Sequence, residues 1–436
     1  APRPLLRVAD GIALIVGMVV GAGIFKAPSI VAGSVSSPQE FMLVWFAGGV
    51  ASLCGALVYA ELSGRFPETG GEYRFLSRAF GPGSAFVFAW ARMTVIQTGA
   101  IAAVGFVFGD YAQQIVPLGP KGPAIYAALG VVALTALNLA GTPQSKNLQN
   151  AMSAALMIAL TAIAIAGMLA PAPAAVAAPP VEGNLGLAMI FVLLTYGGWN
   201  EAAYIAGEVQ DARRNMIRIL IGGILAITIL YLLVNFGYLR ALGLAGVRES
   251  KAVAADAMRQ ATGAGAALTL AFVVCVAALT TMNAAILTGA RTSYAFGRDF
   301  ALFGRLGEWR SAGSTPANAL LLQGALTLVL VLAASFTPDG FSAMVAYTAP
   351  VFWTFFLLCG AALFVFRARD GASAGFRAPL FPVVPLAFCA VCAYMLYSSI
   401  DYIRNPVFGP KFGDLVLAGI AIMVAGVPLY WLARKK

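Results

Sequence analysis

The segment Gly17-Met18-Val19-Val20-Gly21-Ala22-Gly23-Ile24-Phe25 lies inside the first long apolar stretch of the chain. A second apolar stretch contains Leu194-Thr195-Tyr196-Gly197-Gly198-Trp199-Asn200-Glu201. Glycine lowers helix stability by about 1 kcal/mol relative to alanine, and unpaired backbone groups are costly in lipid. We therefore predict that two membrane-spanning helices are interrupted at these glycines, and that the freed main-chain groups bind a ligand.

The composition is that of a membrane protein. Of the 436 residues, 60% are hydrophobic and 11% are charged, whereas soluble domains have about 25% charged residues. The net charge of +10 comes from lysine and arginine placed mostly in short loops, where they set topology, so it does not indicate nucleic acid binding. Twelve apolar segments are candidate spans, namely residues 8–33, 40–62, 84–115, 122–140, 147–170, 185–209, 215–240, 263–297, 316–335, 340–366, 379–398 and 413–433.

These segments predict an all-α polytopic membrane protein with one transmembrane domain, residues 1–436, and 12 transmembrane helices. The interrupted helices are the first and the sixth, which is the spacing of a 5+5 inverted repeat. Residues 1–170 would form helices 1–5, residues 185–366 helices 6–10, and residues 379–433 two additional helices. The loop after the second helix is expected to contain a short amphipathic helix from about Gly71 to Ala79. Basic residues are more frequent in loops on the side of the N-terminus. We therefore expect both termini to lie in the cytoplasm.

An interrupted helix has main-chain groups of both polarities in one place. The half-helix that restarts after Gly21 has unpaired amides that suit a carboxylate, and the half-helix that stops has carbonyls that suit an ammonium group or a cation. One unwound turn can thus hold both ends of a zwitterion, and the break at Gly197-Gly198 adds carbonyls. The alternative is that these glycines only permit close helix packing.

Three motifs, in order along the chain, resemble those of the amino acid–polyamine–organocation superfamily, specifically its L-amino acid transporter family. They are Gly21-Ala22-Gly23-Ile24-Phe25, Pro67-Glu68-Thr69-Gly70-Gly71-Glu72-Tyr73, and Tyr196-Gly197-Gly198-Trp199-Asn200 followed by Glu208 and Arg213-Arg214-Asn215. The resemblance implies a central amino acid site and alternating access in the fold of the bacterial leucine transporters.

The resemblance also implies how the substrate is held. Gly21, Ala22 and Gly23 would bind its carboxylate, and carbonyls around Leu194, Thr195 and Gly197 would bind its amine. The complete predicted substrate site comprises Gly21, Ala22, Gly23, Ile24, Leu194, Thr195, Tyr196, Gly197, Gly198, Asn200 and Glu201.

Helix 5 departs from the family pattern. Members commonly have a lysine there whose ammonium stands where related transporters bind sodium, but the matching position here is Leu156. Ala277-Ala278-Leu279-Thr280-Thr281 resembles the sodium-binding part of helix 8 in the sodium-coupled leucine transporters. The implied Na⁺ ligands are the Gly17, Val20 and Ala277 carbonyls and the Thr280 and Thr281 hydroxyls, a set of hard oxygens. The alternative is that these threonines bond to their own helix.

Charged residues near the breaks have several candidate roles. Glu201 lies inside the membrane and is a proton carrier, a partner for the substrate amine, or a structural group at a helix N-terminus. Lys26 is expected to be a solvated vestibule charge; the alternative is that it pairs with an acid or attracts the substrate carboxylate. Glu61, Arg65 and Glu72 are predicted to form an ion-pair lock at the cytoplasmic end, and Trp199 is predicted to pack as a gate element.

Uncharged polar residues in the predicted spans are candidates for hydrogen bonds between helices. They are Asn283 on helix 8 and Tyr231 and Asn235 on helix 7. These polar residues are isolated.

Two other classes of function are not favoured by the sequence. A channel needs a continuous polar stripe, which isolated polar residues do not form. An enzyme is not favoured because the chain has no histidine and no close carboxylate pair.

We therefore expect a transporter of the bacterial inner membrane that carries neutral L-amino acids by symport with sodium. The alternative is a sodium-independent exchanger or a proton-coupled symporter of the same family. No cofactor is expected beyond the coupling ion, and the partners are the amino acid and membrane lipid, without an accessory subunit.

Overall fold

The computed structural model describes residues 7–66, 71–141, 146–171, 183–204, 209–310, 315–371, 373, 375–401, 403 and 410–434. Within them the chain is helical and contains no strand. In chain order the helices are α1 (Val8–Val19), α2 (Ala27–Ala32), α3 (Pro38–Arg65), α4 (Gly71–Phe80), α5 (Pro82–Ala91), α6 (Gln97–Ile115), α7 (Gly122–Leu139), α8 (Lys146–Leu169), α9 (Leu185–Thr195), α10 (Ala212–Glu249), α11 (Val253–Thr262), α12 (Ala264–Asp299), α13 (Ala317–Ala334), α14 (Gly340–Asp370), α15 (Val383–Asp401) and α16 (Pro410–Arg434).

Nine helices in the described part of the chain are long and apolar enough to cross a membrane. Three shorter apolar helices, Val8–Val19, Ala154–Leu169 and Leu185–Thr195, lie at the predicted first, fifth and sixth spans. The prediction of an all-α polytopic membrane protein is therefore confirmed. The first and sixth spans are short because their helices stop at the two predicted breaks.

Two elements differ from a plain series of straight spans. The third span contains a π-helical segment, Arg92–Ile96, between α5 and α6. The seventh extends beyond its predicted end at residue 240 to Glu249, with a kink at Gly243, where φ is +66°. The loop after the second span forms α4 (Gly71–Phe80), which confirms the amphipathic helix expected over Gly71–Ala79.

The described chain divides into two compact units. The first consists of Ala1–Ala85, Leu160–Val253 and Trp353–Ser398 and contains both breaks. In it α10 packs against α3 and α1, and α9 packs against α2 and α3. Its core is rich in aromatic rings, including Trp45, Tyr196 and Tyr231, whose centroids are 5.1–6.3 Å apart.

The second unit consists of Phe86–Ala159, Ala254–Phe352 and Ser399–Lys436. In it α12 packs against α6, α7 and α13, and its core includes Ile101, Val131 and Met282. The Asn138 side-chain amide donates to the Asn283 carboxamide oxygen at 2.6 Å. Asn283 therefore forms the hydrogen bond between helices that the sequence indicated.

Candidate functional site

The first break extends from Val20 to Lys26. Helix α1 ends with the Val20 amide bonded to the Val16 carbonyl at 2.8 Å, and the chain is extended at Gly21 (φ −124°, ψ −158°). A 3₁₀ turn, Ala22–Phe25, follows, and an α-helix resumes at Ala27. Because Gly21 is extended, the first amides of the turn lack the preceding helical carbonyls as acceptors.

The second break follows Thr195, the last residue of α9. The Tyr196 amide donates to the Val192 carbonyl and the Gly197 amide to the Leu194 carbonyl, each at 2.9 Å. Gly198 has a φ of +110°, which L side chains rarely adopt. A 3₁₀ turn, Trp199–Tyr204, follows. The sequence therefore located both interruptions.

The two breaks lie against each other. A Cβ atom added at Gly23 would lie 3.2 Å from the Thr195 hydroxyl oxygen, and one added at Gly198 would lie 2.9 Å from the Met18 carbonyl oxygen. Glycine at both positions thus permits close approach of the two chain segments, which was the alternative interpretation. Close packing and helix interruption coexist here.

Tyr231 of α10 connects the ends of both interrupted helices. Its hydroxyl oxygen lies 3.1 Å from the Val19 carbonyl oxygen and 3.1 Å from the Thr195 carbonyl oxygen. The Tyr238 hydroxyl donates to the Ile24 carbonyl at 3.5 Å. The prediction that Tyr231 bonds between helices is confirmed, whereas Tyr238 was not identified from the sequence.

Asn235 lies between these tyrosines on the same face of α10. Its side-chain amide donates to the Tyr231 carbonyl at 2.8 Å, within the same helix, so the prediction that Asn235 bonds between helices is wrong. Because that partner is an acceptor, the NH₂ group must face it, and the orientation of the carboxamide is fixed. Its oxygen is buried and has no hydrogen-bond partner among the described residues.

Several side chains of the predicted substrate site bond within the protein. The Thr195 hydroxyl donates to the Phe191 carbonyl at 2.7 Å, and the Tyr196 hydroxyl donates to the Trp45 carbonyl at 3.1 Å. Main-chain groups are thus the principal polar groups that the breaks present, as the sequence indicated. Leu194, Gly197 and Glu201 are half-buried beside them.

Trp199 contacts helix α3, and Asn200 contacts the loop helix α4. The Trp199 ring packs edge-to-face on Tyr59, with centroids 5.1 Å apart, so Trp199 is packed as predicted, and its role as a gate element stays a prediction. The Asn200 side-chain amide donates to the Glu72 carboxylate at 3.0 Å, and the Tyr59 hydroxyl donates to the same oxygen at 3.0 Å. Asn200 was predicted to bind substrate and Glu72 to form an ion pair.

The predicted lock of Glu61, Arg65 and Glu72 is divided into two clusters. Glu61 is 0% exposed, and its two carboxylate oxygens accept from Arg367 at 2.7 Å each. Arg65 approaches Glu61 only at 3.4 Å, because its guanidinium also donates to the Gly371 carbonyl at 2.6 Å. The predicted trio is therefore corrected, and Arg367 is the principal partner of Glu61.

Two basic residues differ from expectation. Lys26 is 6% exposed, so it is buried beside the first break and is not a solvated vestibule charge. Arg92, in the π-helical segment, is likewise buried and was missed. The sequence feature that could have identified Arg92 is a single basic residue inside an apolar segment, because such residues are usually functional in a membrane.

The predicted sodium ligands fall in both compact units. Gly17 and Val20 belong to the first, and Ala277, Thr280 and Thr281 to the second. The Thr280 hydroxyl donates to the Val276 carbonyl of its own helix at 2.8 Å, as in the alternative interpretation. Leu156, at the family's lysine position, is buried. The sodium site stays a prediction.

Comparison with known proteins places these features in context. A family model described as amino acid permease matches residues 7–425. The b(0,+)-type amino acid transporter 1 of Mus musculus is 28% identical over 407 residues, which cover 90% of this chain and 81% of the relative. The serine/threonine exchanger SteT of Bacillus subtilis (strain 168) is 24% identical over 434 residues, covering 97% and 95%. The large neutral amino acids transporter small subunit 2 of Rattus norvegicus is 28% identical over 440 residues, covering 96% and 78%.

Proposed function

The chain belongs to the amino acid permease family, and on that premise we propose that it carries neutral L-amino acids across the membrane by alternating access. One observation supports this most strongly: two helices of the same compact unit are interrupted, and their breaks meet at Gly23 and Gly198. Such breaks present main-chain dipoles of both signs to a solute inside the membrane.

The first break provides the group that recognises a carboxylate. The amides at the start of the Ala22–Phe25 turn follow an extended glycine, so they are available to an anionic ligand. We therefore assign Gly21, Ala22 and Gly23 to the substrate carboxylate, the role that the family resemblance implies.

The ammonium group needs acceptors. Of the predicted carbonyls, that of Leu194 already accepts from Gly197 and that of Thr195 lies beside the Tyr231 hydroxyl. The carboxamide oxygen of Asn235 adds a buried acceptor without a described partner, on the α10 face between the two tyrosines. We assign Asn235, with the helix-6 carbonyls, to the ammonium group, because an unpaired buried acceptor is destabilising until a donor reaches it.

Of the three predicted modes of transport, sodium symport and sodium-independent exchange each have a specific observation in their favour, whereas proton-coupled symport has none. The predicted oxygen set of Gly17, Val20, Ala277, Thr280 and Thr281 supports sodium symport, together with leucine in place of the family's lysine. The bond of the Thr280 hydroxyl to its own helix and a relative named as a serine/threonine exchanger favour sodium-independent exchange.

Uptake of labelled L-serine and L-leucine by proteoliposomes separates these candidates. The purified chain is reconstituted alone, with or without unlabelled amino acid inside and with or without an inward sodium gradient. Symport predicts uptake into empty vesicles only with the gradient, and exchange predicts uptake only into loaded vesicles. Uptake in none of the four conditions, across a panel of neutral amino acids, would contradict the proposed function.

The same experiment tests whether an accessory subunit is needed. The rat relative is named as a small subunit, whereas the Bacillus relative is named without one. We propose that this chain transports alone, in a bacterial inner membrane with both termini in the cytoplasm. The division into two inverted repeats, residues 1–170 and 185–366, is part of the same proposal.

A further inference from the structure

Glu72 joins three parts of the first compact unit. It lies in the first turn of α4 and is 3% exposed. One of its carboxylate oxygens accepts from the Tyr59 hydroxyl of α3 and from the side-chain amide of Asn200, each at 3.0 Å. Asn200 belongs to the 3₁₀ turn, Trp199–Tyr204, that follows the second break.

The residues that bond to Glu72 are also connected by ring packing. Trp199 precedes Asn200, and its ring packs on the ring of Tyr59, with an interplanar angle of 83°. The Phe356 and Phe388 rings also contact both Tyr59 and Trp199. Tyr59 is thus held by its hydrogen bond to Glu72 and by ring packing, and Asn200 is held by its hydrogen bond to Glu72 and by the packing of the adjacent Trp199. Displacing any one of Glu72, Tyr59 or Asn200 disturbs the other two.

The chemistry of this cluster makes the Glu72–Asn200 bond costly to break. A buried carboxylate is destabilising unless donors solvate it, and hydrogen bonds to charged groups are stronger than those between neutral groups. If α4 moves away, Glu72 loses the donors from α3 and from the turn, and Asn200 loses the acceptor for its amide. Movement of α4 and rearrangement of the turn are therefore energetically linked.

We propose that Glu72 is a positioning residue for transport. Through Asn200 it holds the turn after the second break in place, so that displacement of the loop helix α4 and reshaping of the substrate site occur as one event. This inference rests on the proposed function, because the reshaped site is the proposed amino acid site. Glu72 itself contacts no substrate in this account.

Transport by Glu72 variants tests the inference. In Glu72→Gln the side-chain carbonyl oxygen still accepts both hydrogen bonds, so we expect a maximal uptake rate within about threefold of the wild type. In Glu72→Leu both bonds are lost, and we expect a decrease of about tenfold or more. Tyr59→Phe leaves the Asn200 bond intact and should resemble Glu72→Gln.

A double-mutant cycle tests whether Asn200 transmits the effect. Asn200→Asp places two carboxylates together and should lower the rate about tenfold. Adding Glu72→Gln supplies a side-chain amide that donates to the new carboxylate, so Glu72→Gln/Asn200→Asp should recover at least half of that loss. Additive losses in the double variant would overturn the proposal.

Hydrogen exchange separates this proposal from the transport function itself. In Glu72→Leu, amides of both α4 and the Trp199–Tyr204 turn should exchange faster, whereas the control Arg74→Gln, on an exposed position of α4, should change neither. Faster exchange in α4 alone contradicts the link even if transport is normal. If the wild type transports no amino acid but the exchange of both segments rises together, the proposed function fails and the link stands.

Discussion

The Tyr231 hydroxyl oxygen lies 3.1 Å from the carbonyl oxygen of Thr195, the last residue of the helix before the second break. It lies equally close to the carbonyl oxygen of Val19, the last residue before the first break. A phenol has one proton to donate, so it shares the bond between the two carbonyls or alternates between them. One side chain of α10 therefore fixes the ends of both interrupted helices.

Tyr231→Phe should lower the maximal uptake rate strongly and the free energy of unfolding only slightly. The ring remains packed against Trp45 and Tyr196, but both carbonyls lose their donor. Loss of one hydrogen bond costs about 1 kcal/mol of unfolding free energy, whereas we expect the maximal uptake rate to fall about tenfold because both helix ends are freed. Uptake kinetics and thermal unfolding of the purified protein measure these effects. Tyr238→Phe, which removes a longer bond of 3.5 Å, is the control and should change uptake less; equal effects of the two variants would contradict this account.

Gly198→Ala should abolish most transport. The residue has a φ of +110°, and its new Cβ atom would lie 2.9 Å from a main-chain oxygen of Met18. The backbone strain costs about 1–2 kcal/mol, and the contact with α1 cannot be relieved by rotating a side chain. We expect lower thermal stability and at least tenfold slower uptake.

Gly263→Ala is the matched control for Gly198→Ala. Gly263 also has a positive φ of +94°, but an added Cβ atom would meet nothing within 4 Å. Gly263→Ala should therefore lower thermal stability through backbone strain alone, with uptake close to the wild-type rate. If Gly263→Ala slows uptake as much as Gly198→Ala does, the contact between the breaks is not the cause.

Arg367→Leu should destabilise the protein strongly. The guanidinium of Arg367 donates two hydrogen bonds to the completely buried carboxylate of Glu61. Breaking a buried ion pair costs about 3–5 kcal/mol. Arg369→Leu is the control on the same helix, because its contact with Asp370 is exposed and solvent-exposed ion pairs contribute little to stability. Denaturation midpoints of the two variants should differ clearly, and similar midpoints would contradict the assignment of Arg367.

Asn235→Leu should lower the affinity for the amino acid and leave the free energy of unfolding nearly unchanged. The substitution removes a buried acceptor without a described partner along with one intrahelical hydrogen bond, so the net change in unfolding free energy should stay within about 1 kcal/mol. If the carboxamide oxygen binds the substrate ammonium, amino acid affinity should fall about tenfold. Thermal stabilisation by increasing amino acid concentrations measures the affinity, and an unchanged affinity would remove Asn235 from the site.

The sequence predicted the parts of the fold that depend on local backbone chemistry. Gly21 and Gly23 located the first break, and Gly197 and Gly198 located the second, because closely spaced glycines weaken a helix through the backbone freedom of those residues themselves. The apolar segments likewise located the spans, and Gly71–Ala79 located the loop helix.

Hydrogen-bond partners that lie far apart along the chain were harder to predict from the sequence. Glu61 bonds to Arg367, which is 306 positions away, whereas the sequence indicated Arg65 at helical spacing. Asn200 bonds to Glu72, 128 positions away, and the sequence assigned the two residues to different tasks. Helical periodicity identifies neighbours three or four residues apart, but it gives no information on which distant helices meet.

A density map of the protein with bound L-serine shows whether main-chain groups of the two breaks hold a zwitterion. We expect the carboxylate within hydrogen-bonding distance of the amides between Gly21 and Ile24. We expect the ammonium group against Asn235 and the carbonyls around Thr195. Amino acid density elsewhere in the protein, with both breaks unchanged and unoccupied, would contradict this expectation.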